Sequence, residues 1–316
     1  MRKWFITLGG ALIAWGLFWP TGTQALKAKP SLPAPKSIHI ASGILQPAAF
    51  QDKLQQYIGD KLHTLSSQKG FENWNNAEIH ITTLGPGTHG WLVLLTQRGI
   101  DVGYLVITAD DSGMLKLAEY GRGGTSLFSP VKLYASMLQQ ELIPSNMSYT
   151  DFRSSPTYQS ERYYFSALQS LWKVTVSGAG GEPWFLDGKT GEILPLTMKD
   201  LKAVIPAKEN PSKANVKLSQ PSSLLLPTFD PYARLPWVKK PALTYENFED
   251  VQKRLNQRDK IMYTAEYWDR SIRYVFPVTG YESRPDETPY LIVEQDGLRY
   301  LPFHSVSEQG KFYKSS

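Results

Sequence analysis

The sequence predicts an α+β protein in which small modules, each one helix packed on an antiparallel sheet, repeat along the chain. Three observations predict it. Apolar residues recur at three- and four-residue steps in separate segments, the mark of amphipathic helices. Each such segment is followed by short alternating or aromatic-apolar runs, the mark of strands. The closing hairpins also look alike: YLVITADDSGMLKLAEY (104–120), WFLDGKTGEILPL (184–196) and YLIVEQDGLRYLPF (290–303) each read apolar strand, Asp/Gly turn, apolar strand. Either this is true repetition or hairpins simply share such residues.

Residues 1–25 are basic at Arg2 and Lys3, apolar from Trp4 to Trp19, then small and polar. That order predicts a secretory signal peptide cut after Ala25, or, uncleaved, an N-terminal membrane anchor. Both place the bulk of the chain outside the cytoplasm. Residues 26–37, rich in Lys and Pro, read as a tether.

The first module is expected over 38–128. Phe50, Leu54, Tyr57, Ile58, Leu62 and Leu65 give a helix over 48–65. Strands follow at 78–83, 90–96, 102–108 and 114–120, with a turn at 110–113 whose Gly113 supplies a positive φ. The second module is expected over 129–204. Ser129 is placed to cap a helix over 130–142, with Pro130 at its first position. Its strands are expected at 163–165, 171–176, 183–186 and 192–194. Residues 205–227, rich in Pro, Lys and Ser, read as a linker. The third module, 228–316, is expected to hold a helix over 245–255 with Phe248, Val251 and Leu255 on one side. Strands should follow at 261–267, 272–278, 290–294 and 298–303.

Composition narrows the class. The 316 residues are 41% hydrophobic, 12% aromatic and 20% charged, which supports a packed core and excludes general disorder. A mean hydropathy of −0.32 excludes a polytopic membrane protein. There is no cysteine, hence no disulfide, thiol nucleophile or Cys-ligated metal, which suits a bacterial exterior. Net charge is +5, and falls to +3 without Arg2 and Lys3, too little and too dispersed for a nucleic-acid partner.

Gly188-Lys189-Thr190 ends like a phosphate-binding loop. That loop needs Gly five residues before Gly188, and Pro183 stands there. Glu192-Ile193-Leu194 continues as a strand, so no helix N-terminus would face a phosphate. The stretch reads as a hairpin turn, with Asp187 accepting local amides and Gly188 and Gly191 tolerating positive φ.

The hairpin from Trp184 to Leu194 resembles the end of a PepSY domain: an aromatic-apolar strand, Asp, two residues, Thr-Gly-Glu and another apolar strand. Leu171 to Val176 is similar to the preceding strand of that family. The resemblance covers about 130–196 and implies a small helix-plus-antiparallel-sheet (PepSY-like, cystatin-like) module of bacterial envelope proteins and protease propeptides. It implies an association with restraining peptidases and carries no catalytic residues. The C-terminal part is assigned to no family.

Catalytic patterns are sparse. None of the five histidines forms a helical metal pair. His89 sits in a Gly-Pro-Gly turn and His80 lies nearby. Asp110 and Asp111 with Glu119 could form a calcium or acid–base group, or serve a hairpin turn. Glu119-Tyr120-Gly121-Arg122-Gly123-Gly124 could form an anion-binding nest around Arg122, or only a flexible turn. Phe229, Tyr232 and Trp237, set among prolines, form either a partner-binding surface or a staple between domains. No cofactor is expected. The sequence thus predicts a non-catalytic extracytoplasmic protein that binds an envelope or secreted protein, a peptidase being the class implied. A secreted hydrolase with a non-standard site and a structural envelope assembly factor are the alternatives.

Overall fold

The computed structural model describes residues 38–40, 48–85, 89–178, 180–202, 221–243, 245, 247–285 and 287–315. The expected signal or anchor, the tether and most of the expected linker lie outside the described residues.

The chain is mixed α+β with large antiparallel sheets. Strand β1 (Ile38–Ile40) precedes helix α1 (Ala48–Ser66) and a short 3-10 turn (Glu72–Asn76). A meander follows: β2 (Glu78–Leu84), β3 (Gly90–Gln97), β4 (Ile100–Ala109) and β5 (Leu115–Arg122). Helices α2 (Pro130–Gln139) and α3 (Tyr149–Ser154) lead into β6 (Tyr158–Ser166), β7 (Gln169–Val176), β8 (Trp184–Asp187) and β9 (Ile193–Leu194). Then come α4 (Met198–Lys202), β10 (Ser222–Leu225), α5 (Pro236–Lys239) and α6 (Phe248–Asn256). The last strands are β11 (Lys260–Tyr267), β12 (Ile272–Ser283), β13 (Tyr290–Glu294) and β14 (Leu298–Pro302). Helix α7 (Phe303–Gln309) and β15 (Gly310–Ser315) finish the described chain.

The three hairpins form as the alternation predicts, but the sheets do not follow the expected module boundaries. Strands β6 to β9 make a sheet of their own, whereas β1 to β5 and β10 to β15 belong to one eleven-stranded sheet. The two parts of that sheet join where β14 pairs β5, through Leu298 opposite Arg122, Arg299 opposite Gly121 and Tyr300 opposite Tyr120. Helices α1 and α6 cover opposite faces of it. Leu54, Ile58, Leu62 and Leu65 of α1 pack with Tyr290, Ile292 and Tyr300. Phe248, Val251 and Leu255 of α6 pack with Leu291, Val293 and Leu301. Successive strand residues point to opposite faces, so 291, 292 and 293 alternate between the two cores. A rotation that superposes one meander on the other would carry both helices to one face, so simple symmetry does not relate these two parts.

Several local expectations are corrected. Ser222–Leu225, placed in the linker, is β10 and pairs antiparallel with β12. Ser129 occupies the N-cap position of α2 without a side-chain cap bond, and its hydroxyl serves the Asp101 carboxylate instead. Ser148 caps α3 through a full capping box with Asp151, a sequence signal that was legible and missed. Only Gly191 of the Gly-Lys-Thr turn has a positive φ, at +73°. Gly188 is needed for close approach: a Cβ there would lie 2.9 Å from the Ser170 carbonyl oxygen.

Candidate functional site

A cleft of about 800 Å³ opens on the α1 face of the large sheet. Ile292 and Tyr300 of its lining belong to the α1 core, which fixes the face. The loop after α1, from Gln68 to Phe71, and Arg122 line it as well, together with β10 and the β12 end at Glu282 and Arg284.

Arg122 follows directly from the β5 pleat. Its guanidinium lies 4.9 Å from the Phe71 ring centroid, and its Nε donates to Tyr300 Oη at 3.2 Å. A Cβ on Gly70 would come within 2.7 Å of the guanidinium carbon, so the glycine leaves room for this stacking. Glu72 and Glu282 sense the Arg122 charge, yet no ion pair is formed by Arg122 among the described residues. Its terminal fork therefore keeps donors available, the geometry suited to a carboxylate or phosphate. Glu282, by contrast, is saturated. Tyr120 Oη donates to its Oε2 at 2.9 Å, Gln68 Nε2 donates to its Oε1 at 3.1 Å, and Arg284 ion-pairs with it. Burial raises the Glu282 carboxyl despite the Arg284 charge.

The opposite face of the β5–β14 seam carries a buried polar network. Glu119 and Arg299 are 0% and 2% exposed, and one guanidinium nitrogen of Arg299 reaches both Glu119 oxygens at 3.0 Å. Tyr104 Oη donates to Glu119 at 2.8 Å and Tyr164 Oη at 3.4 Å. Arg299 also donates to Gln295 Oε1 at 2.6 Å and to the Ala167 carbonyl. Burial raises the Glu119 carboxyl, against the pull of Arg299. Burial alone would lower Arg299, and Glu119 together with Tyr104, Asp187 and Tyr164 more than offsets it, so the guanidinium stays charged.

The Gly-Lys-Thr turn joins this network as a structural joint. Asp187 accepts the amides of Lys189 and Thr190 at 2.8 and 2.7 Å, as expected of turn chemistry, and also the Tyr274 hydroxyl at 2.6 Å. Lys189 is 2% exposed. Its ammonium donates to the Asp296 carbonyl at 3.0 Å and to the Thr125 carbonyl. One lysine thus ties the small sheet to both parts of the large one. Burial lowers its pKa to about 8, reinforced by the Arg299 charge.

The residues singled out in the sequence do not converge. Glu119 is buried on β5, away from the turn where Asp110 accepts the Ser112 and Met114 amides at 3.0 Å. The proposed grouping of Asp110, Asp111 and Glu119 is therefore split between turn and core. His89 is exposed just before β3, and His80 on β2 bonds Thr96 Oγ1 at 3.1 Å. Gly123 and Gly124 do turn with positive φ. A Cβ on Gly124 would collide with the Asp296 carbonyl, so the glycines admit the β13–β14 turn. Phe229 is half-buried with the Lys260 ammonium 5.6 Å from its ring centroid. Tyr232 is 58% exposed and meets Trp237 edge-on at 5.5 Å. Trp237 borders a second cavity of about 230 Å³ beside Thr264, Gln309 and Tyr313.

Sequence reasoning missed Lys189, Arg299, Glu282 and Gln68. Arg299 carried a signal: it shares a β14 face with Leu301, so period-2 alternation points a charge inward. Among the described residues, no group of three or more His, Asp or Glu is placed to hold a metal ion, and no helix is long and apolar enough to cross a membrane. Comparison with protein-family models, curated proteins and solved structures finds no match to this chain.

Proposed function

We propose that this chain is a non-catalytic binding protein of the bacterial cell exterior whose ligand is an envelope or secreted protein. The observation that carries the reading is the cleft: it exposes the uncommitted fork of Arg122 beside a saturated Glu282. That arrangement recognises rather than transforms. The buried carboxylate Glu119, which acid–base chemistry would need exposed, is committed to Arg299 and two tyrosines. The basic-apolar-small order of residues 1–25 supports export. The middle segment is read as a PepSY-like module on the Trp184–Leu194 hairpin, which makes a peptidase the partner class to seek first.

The test uses the epitope-tagged full chain in intact bacterial cells. External protease should digest it without lysis. Cross-linking and capture should enrich one envelope or secreted protein over an unrelated exported control. Protection from external protease, or no specific partner after cross-linking, counts against the reading.

A further inference from the structure

We propose that the cleft binds an extended peptide bearing a carboxylate, with β10 pairing the peptide backbone and Arg122 holding the carboxylate. The inference rests on the binding reading above and names the ligand chemistry of that site.

The backbone argument comes from register. Leu226 N donates to Thr279 O at 2.7 Å, and β10 pairs β12 with Leu224 opposite Tyr281 and Ser222 opposite Ser283. In an antiparallel pair, hydrogen-bonded positions alternate with non-bonded ones. Residues 222, 224 and 226 therefore face β12. The amides and carbonyls of Ser223 and Leu225 face away, and no strand pairs with that edge among the described residues. Two such residues, spaced by one, provide the donor–acceptor ladder that an added strand requires. Edge strands left open in this way are normally blocked by charge or Pro. Pro221 and Pro227, in the same outward phase, bound this edge and confine the open ladder to Ser223 and Leu225, which carry neither; Leu225 is 49% exposed.

The side-chain argument comes from the same register. Ser223 lies opposite Glu282 and Leu225 opposite Gly280, and Gly280 lies opposite Ile292, which lies opposite Tyr300. Ser223, Leu225, Ile292 and Tyr300 thus share the face on which the cleft opens. Leu225 and Ile292 present apolar surface there. Arg284 is neutralised by Glu282. Arg122 and Lys69 form no ion pair among the described residues, and the single Glu72 carboxylate near them, lowered by the Gly70 amide and by both charges, offsets only part of the positive surplus. Exposed edge, apolar floor and the terminal fork of a guanidinium held by Tyr300 and Phe71 together fit an extended segment with alternating small apolar side chains and one carboxylate. That carboxylate could be a Glu or Asp side chain or the peptide's C-terminus.

A display library of random ten-residue peptides panned on the full chain tests this. Enriched peptides should carry an acidic residue or a free C-terminus after a strand-forming run. Their affinity should fall roughly tenfold or more in Arg122→Met, the range for losing a charge-assisted hydrogen bond. Met preserves contact with Phe71 and so guards the fold. Leu225→Pro removes one outward amide and should weaken binding similarly. In the unaltered protein, bound peptide should slow hydrogen exchange at the Ser223 and Leu225 amides, a readout independent of any variant. Amidating the peptide C-terminus, or replacing its acidic side chain by the amide, assigns the carboxylate to whichever change abolishes binding. Three results each overturn the proposal: no enrichment, enrichment of basic or purely apolar peptides, or affinity indifferent to both variants with unchanged amide exchange. A cellular partner captured equally by Arg122→Met would overturn it while leaving the binding reading intact.

Discussion

Arg299→Met gives the sharpest test of how the two parts of the large sheet are held. The substitution keeps much of the stem and removes the charge. Glu119, 0% exposed, is left with the hydroxyls of Tyr104 and Tyr164 alone. An isolated buried carboxylate escapes its penalty by taking up a proton. At pH 7, protonating a carboxyl of ordinary value 4.5 costs roughly 3.4 kcal/mol at 1.36 per pH unit. The lost bonds to Gln295 and the Ala167 carbonyl add about 1–3 kcal/mol, and relief from burying the guanidinium offsets part of this. The expected loss is about 3–5 kcal/mol, in line with breaking one side of a buried pair. Urea denaturation followed by tryptophan fluorescence measures it, provided the slope of stability against urea is unchanged. The paired substitution Glu119→Leu with Arg299→Met should recover most of the loss, because neither charge is then stranded. The pH dependence is the decisive part. Glu119 is already raised in the folded protein, so the folded state holds its proton more tightly than the unfolded chain. Stability from this group therefore falls as pH rises above 4.5 in the unaltered protein too; removing Arg299 raises the carboxyl further, so the Arg299→Met deficit should be smaller at pH 5 than at pH 7, by less than the roughly 2.7 kcal/mol that two pH units allow. A deficit under about 1 kcal/mol at pH 7, or the same deficit at both pH values, refutes the reasoning.

Lys189 makes the opposite signature. Its folded pKa is lowered from 10.5 to about 8, so the unfolded chain binds more protons between those values, and stability should rise by up to about 3 kcal/mol across that window. Lys189→Met should remove this rise, which is read as the pH-dependent difference between the two proteins in urea titrations from pH 7 to 10. Gly103→Ala would drive a methyl into the Trp74 indole and should cost about 1–3 kcal/mol, seen as a lower melting temperature. Tyr274→Phe strips a donor from Asp187 and should cost about 1–2 kcal/mol by the same measurement, whereas Tyr232→Ala, at an exposed position, should change stability by under about 0.5 kcal/mol.

The sequence announces what is local. Helix α1 follows from Leu54, Ile58, Leu62 and Leu65, all buried, and the Asp110–Gly113 turn follows from its Asp and Gly. The Pro183 argument against a phosphate loop agrees with β9 following the turn where a helix would be required. What no local pattern announces is pairing between distant strands. Nothing near Tyr120 says that Tyr300 will stack on it, ring centroids 4.4 Å apart, or that Arg299 will meet Glu119 behind it. The cleft inherits that blindness, because Arg122 and Leu225 share its lining only once β5, β14, β13, β12 and β10 have lined up. Lys189 was missed for a different reason: a turn lysine ordinarily lies in water, and here the turn is capped by two other turns, at Thr125 and Asp296.

The β5–β14 seam also sets an order of events. Its partners are about 180 residues apart, so closing it is among the costliest chain closures in the protein and belongs late in folding. Until the last hairpin arrives, β5 presents a bare row of amides and carbonyls along Tyr120 to Arg122. A chain interrupted before residue 290 carries that bare edge permanently, and should meet its first hazard as self-association through β5.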